Sequence, residues 1–98
     1  MTYDRRVLGQ VIYRRRLEVG FTQEVLSGLV GITRSHLSLI ETGSTSVTLD
    51  TLWRISEALS TPLSAIIQEV ERQEKKCQAR LMMTMLHFGR QRKKLLIV

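Results

Sequence analysis

Ninety-eight residues make one modest domain, with 43% hydrophobic and 24% charged residues, the balance of a water-soluble globular chain. One proline, six glycines, five aromatics and no sustained alternation of period two point to helices. The net charge of +6 suggests an anionic partner, but the excess is uneven. Residues 1–67 carry seven Arg against six acids, whereas residues 68–98 carry eight basic residues against three acids.

Residues 5–19 read as a first helix, with Leu8, Ile12 and Arg16 at i, i+4 and i+8 beside Val7 and Val11, and Gly20 as its end. Thr22 can cap a second helix, Gln23–Val30, whose inward residues are Leu26 and Val30. Gly31 ends it. Thr33 caps a third helix over 34–41, with Leu37 and Ile40 inward and Gly43 as terminator.

After a Ser44-Thr45-Ser46 loop, Thr48 caps a fourth helix over 49–59. Leu49, Leu52, Ile55 and Leu59 have core spacing, and Trp53 near this stripe reads as a partly buried packing residue rather than a stacking platform. Pro62 suits the first position of a fifth helix that starts at Leu63 and carries Ile66 and Ile67. Residues 68–88 have good helix propensity and include the apolar run LMMTMLHF. Residues 89–98 read as a basic tail. Such a tail is either a solvated charge run or a non-specific aid to nucleic-acid binding.

The third helix carries the functional question. With Arg34 at zero, Ser38 falls near about 40°, Thr42 near about 80°, Ser35 near about 100° and Leu39 near about 140°. Leu37, Ile40 and Glu41 occupy the opposite side, and His36 sits at the boundary. One side docks; the other presents Arg, Ser, Ser, Thr and one Leu. That set suits the edge of a DNA major groove, because Arg offers a fork to guanine, Ser donates or accepts, and Leu can meet a thymine methyl. Short amphipathic helices with polar outer faces also occur in any helical bundle.

The pattern resembles the Cro/C1-type helix-turn-helix family, also called XRE or lambda-repressor-like. The matching residues are L-G-x-x-I-x-x-x-R at 8–16, G-F-T-Q-E-x-L at 20–26, G-I-T-R-S-x-L-S-x-I-E-x-G at 31–43, and L-D-T-L at 49–52 with Ile55, Ala58, Leu59 and Leu63. The resemblance implies an all-α, five-helix DNA-binding domain over 1–69, with a helical extension and basic tail over 70–98. It implies that Arg34, Ser35 and Leu39 contact bases, with Ser38 a further candidate. It implies phosphate contacts at Gln23, Thr33, Thr42, Gly43 and Ser44, and a structural ion pair between Arg16 and Glu41. The expected partner is double-stranded DNA, bound by a homodimer in the cytoplasm.

The chain departs from the family pattern at several positions. Ser27 replaces a usual Ala, and Val47 replaces a common Pro. Arg15 stands at a usually apolar position while Leu17 and Val19 stand at usually polar ones, which leaves the core face of helix 1 open. Ser44-Thr45-Ser46 replaces a loop that is often basic, so backbone N–H groups and hydroxyls are expected to make more of the phosphate contacts there.

No spacing assembles a catalytic triad, a metal site or a phosphate-binding glycine loop, so neither an enzyme nor a cofactor is expected. Cys77 has no partner cysteine for a disulfide. No apolar run approaches the roughly 20 residues of a membrane span. The rival reading is an antitoxin-type module whose segment 70–98 binds a partner protein. The apolar cluster of Leu81, Met82, Met83, Met85, Leu86 and Phe88 is also open to reading as core filler or a dimerisation surface.

Overall fold

The computed structural model describes residues 3–75, which form five helices and no strand. The order is α1 (Arg5–Val19), α2 (Gln23–Val30), α3 (Arg34–Thr42), α4 (Leu49–Ala58) and α5 (63–75). The expected helix over 68–88 is, through residue 75, a continuation of α5 without a break. Its remainder, the tail 89–98, Cys77 and the apolar cluster 81–88 lie outside the described residues. None of the described helices is long and apolar enough to cross a membrane.

Local chemistry sets the helix starts. Asp4, Thr22, Thr33 and Thr48 stand in extended conformation, and each side chain accepts an N–H of the first turn that follows. Each cap satisfies a donor that no helical carbonyl can reach. Compared with the sequence expectation, α3 gains Thr42 and α4 closes at Ala58. Leu59 then caps α4, and Ser60 takes a left-handed conformation with φ 52°.

The core lies where the helices meet. Leu8, Val11 and Ile12 of α1 pack with Leu26, Val30, Leu37, Ile40, Leu52, Ile55, Leu59, Ile66 and Val70. Each such side chain contributes about 1.5–3 kcal/mol on burial. α3 packs on both α1 and α2, and α2 also packs on α4. At the crossing of α1 and α3 stands Gly9, where a Cβ would lie 2.5 Å from the carbonyl oxygens of both Ile40 and Glu41. Only glycine permits two backbones to approach so closely.

Some apolar residues of α4 and α5 are not buried. Leu49, the first residue of α4, is 68% exposed. Ile67 is at the surface, and Leu63 is half-buried. Trp53 is 54% exposed; its indole N–H donates to Glu57 Oε1 at 2.8 Å, so it turns along its own helix rather than inward.

The open question about α1 has a definite answer. Leu17 and Val19 are exposed and belong to the outer side. Arg15 is half-buried, and its guanidinium and that of Arg14 each reach one oxygen of Glu69 at 3.0 Å. A long aliphatic stem with a paired head covers apolar surface as a hydrophobic residue would.

Candidate nucleic-acid interface

α2 and α3 meet through the three-residue connection Gly31-Ile32-Thr33. Gly31 N–H and Ile32 N–H both bond to Ser27 O, which closes α2 and turns the chain sharply. Thr33 Oγ1 then accepts from His36 N at 3.0 Å and starts α3. The result is one helix presented across the end of another.

On the outward side of α3, Arg34, Ser35, Ser38 and Leu39 line a shallow groove together with Gln23 from the start of α2. Arg34, Ser35 and Leu39 are exposed, and Ser38 is half-buried. The inward side of the same helix buries Leu37, Ile40 and Glu41. Arg34 Nη1 lies 3.4 Å from Glu24 Oε1, with both side chains in solvent. Such an exposed pair is weak and yields readily to a better acceptor. No linear spacing pointed to Glu24, since its approach to Arg34 depends on the angle between two helices.

Glu41 is the hub beneath this groove. Arg16 Nε donates to Glu41 Oε2 at 2.7 Å and Arg16 Nη2 to Glu41 Oε1 at 3.1 Å. The two side chains are 7% and 3% exposed. Arg16 Nη1 also donates to Phe21 O at 2.8 Å, and its guanidinium lies 5.2 Å from the Tyr13 ring centroid. Gln23 Nε2 donates to Glu41 Oε1 at 2.9 Å. The buried charges are therefore paired and hydrogen-bonded on several sides, the condition under which burial of an ion pair is tolerated.

The turn after α3 closes on the helix itself. Gly43 N–H bonds to Ile40 O at 3.1 Å, and Ser44 N–H bonds to Leu39 O at 2.9 Å. These backbone donors complete the helix rather than wait for a phosphate. Thr42 Oγ1 lies 3.1 Å from Ser38 O and 3.2 Å from Leu39 O, and 2.9 Å from Ser44 Oγ. The hydroxyls of Thr42 and Ser44 stand together at this turn. Gly43 takes the left-handed conformation, at φ 76°.

A helix-turn-helix family model matches residues 12–66. The chain belongs to the Cro/C1-type helix-turn-helix family of DNA-binding transcriptional regulators. No curated protein matches its sequence. Among solved structures, the clp gene regulator ClgR from Corynebacterium glutamicum superposes with a TM-score of 0.76 at 20% identity, over 87% of this chain and 90% of ClgR. At that identity the likeness speaks for the fold alone. The restriction-modification controller protein C.AhdI from Aeromonas hydrophila is 28% identical over 64% of this chain and 96% of its own, with a TM-score of 0.63. The wild-type restriction-modification controller C.Esp1396I is 26% identical over 78% of this chain and 99% of its own, with a TM-score of 0.69. Within this family the pair α2–α3 is the helix-turn-helix itself. The matched segment spans Arg16, Gln23 and the whole outward side of α3.

Proposed function

We propose that this protein is a sequence-specific transcriptional regulator that binds double-stranded DNA as a homodimer in the cytoplasm. Each subunit lays α3 in the major groove of one half of a pseudo-palindromic operator, with half-sites about one helical turn apart. Arg34, Ser35, Ser38 and Leu39 read base edges. Gln23, Thr33, Thr42 and Ser44 hold phosphates, and Gly43 shapes the turn that presents Ser44. The DNA-binding unit is 1–69, and 70–98 is an extension that begins at Val70, a core residue.

The observation that carries this reading is the groove in which five polar or apolar contact groups from α2 and α3 converge on a solvent-facing side. Support for the dimer comes from α4 and α5, the elements that do not carry this groove. They expose Leu49, Trp53 and Ile67 there. A chain this short gains stability by covering such residues with a second copy. The likeness to two restriction-modification controllers makes control of a linked gene set the favoured biological setting.

Selection of bound molecules from random duplex DNA at physiological salt, followed by sequencing, tests the reading. A two-fold related motif is the expected result. Enrichment of nothing, with only weak salt-sensitive binding, would defeat it and turn attention to segment 70–98 as the antitoxin-type partner surface.

A further inference from the structure

The turn that closes α3 is short of positive charge. Residues Thr42 to Ser46 include no cation, and the N–H groups of Gly43 and Ser44 are taken up by α3 itself. Affinity for a nucleic-acid backbone comes chiefly from cations that displace condensed counterions. A turn that offers hydroxyls but no cation positions a phosphate and holds it weakly.

α1 delivers a cation to this place. The three atoms nearest a Cβ built on Gly43 all belong to Arg6: its Cα at 2.7 Å, its Cγ at 2.7 Å and its N at 2.8 Å. The first turn of α1 thus abuts the turn after α3. Arg6 keeps its guanidinium in solvent, with a side chain 78% exposed. Among the described residues its charge partner is the exposed Asp4, at 3.5 Å. That same Asp4 oxygen already accepts the Arg6 N–H at 2.9 Å as the cap of α1.

Arg14 and Arg15 clasp Glu69, Arg16 is buried with Glu41, and Arg54 pairs with Asp50 on α4.

We propose that Arg6 is a DNA-phosphate contact, supplying from α1 the positive charge that the Thr42–Ser46 turn lacks. The inference rests on the reading of α3 as the DNA-facing helix. The phosphate it takes belongs to the strand that passes the hydroxyls of Thr42 and Ser44. Gly43 is the reason the two elements can combine, because any side chain there would push the first turn of α1 away.

The test measures binding of the full chain to its selected operator across a salt series. Arg6→Gln is expected to lower the steepness of log Kobs against log salt by about 0.9, the change for one lost phosphate contact. It should weaken binding to operator and random duplex by the same factor. Arg6→Lys should restore the slope, and Arg5→Gln, one residue away, should change it clearly less. An unchanged slope in Arg6→Gln, or an equal drop in Arg5→Gln, overturns the assignment. A thermal melt matching wild type keeps the reading clear of folding effects, as expected for a side chain this exposed. If the unmodified protein enriches no motif, it is the recognition reading that has failed. If it enriches a motif and Arg6→Gln leaves the slope intact, the Arg6 assignment alone is wrong.

Discussion

Gln23 and Arg16 converge on one carboxylate: both donate to Glu41 Oε1, at 2.9 and 3.1 Å, while Arg16 Nε holds the second oxygen at 2.7 Å. The first residue of α2 is thereby tied to the buried side of α3, and the orientation between the two helices is held by hydrogen bonds as well as by packing. Truncating Glu41 to alanine leaves the Arg16 charge buried without its counterpart. The expected loss is about 3–5 kcal/mol of unfolding free energy in urea titration. The double variant Arg16→Met with Glu41→Leu should recover most of it, because a packed apolar pair is often as stable as a buried ion pair. A single-variant loss under about 1 kcal/mol would show that the pair is not desolvated as its burial indicates.

Arg34 and Gln23 should fail in different ways. Arg34→Ala is expected to cost about 1–3 kcal/mol on the selected operator and to relax preference at one base pair. An equal loss on random duplex would show that Arg34 touches only phosphate. Gln23→Ala should weaken binding by a similar factor on every sequence, and a loss tied to particular bases would contradict the phosphate role proposed for it. Parallel titrations on operator, single-base variants and random DNA separate the two patterns.

Gly9→Ala should be among the most damaging small changes in the chain. Its Cβ would meet two backbone carbonyl oxygens at 2.5 Å, and backbone cannot rotate aside as a side chain can. Overpacking of this kind costs about 1–3 kcal/mol, here with no flexible neighbour to relieve it. A melting temperature equal to wild type would mean that α1 and α3 can separate slightly at little cost.

The exposed apolar residues of α4 and α5 predict a change in assembly. Leu49→Glu combined with Trp53→Glu should shift the protein toward monomer in sedimentation experiments while its helical content holds. Operator affinity should drop with it, since a monomer grips one half-site. An unchanged sedimentation profile would remove α4 and α5 as the proposed dimer contact, with segment 70–98 the next place to test.

The helix ends were readable because capping is local: a Thr before an apolar run, or a Gly after one, acts within a few residues. The inner side of α3 was readable for the same reason. Leu37 and Ile40 repeat at helical spacing, and both are buried. Leu49 shows where such reasoning stops. It has the same spacing as Leu52 and Ile55, yet it is 68% exposed where they are buried. Arg15 and Glu69 show a second limit, since a contact between residues 54 positions apart leaves no periodic trace. The closed α3 turn shows a third. Whether an N–H is free depends on the last turn of the helix, and composition alone is silent about that.

The two-sided build of α3 also separates two traits that selection acts upon. Arg34, Ser35 and Leu39 are exposed, whereas Leu37, Ile40 and Glu41 are buried. Exposed positions of this kind usually change stability by no more than about 0.5 kcal/mol. On the proposed reading, descendants of such a chain can therefore drift toward a new DNA word by exchanging outward residues one at a time, each intermediate still folded. Gln23 is the exception, because it faces the groove and grips Glu41 at once. A lineage that altered it would have to renegotiate docking geometry and binding together, so it is the position at which divergence should be slowest.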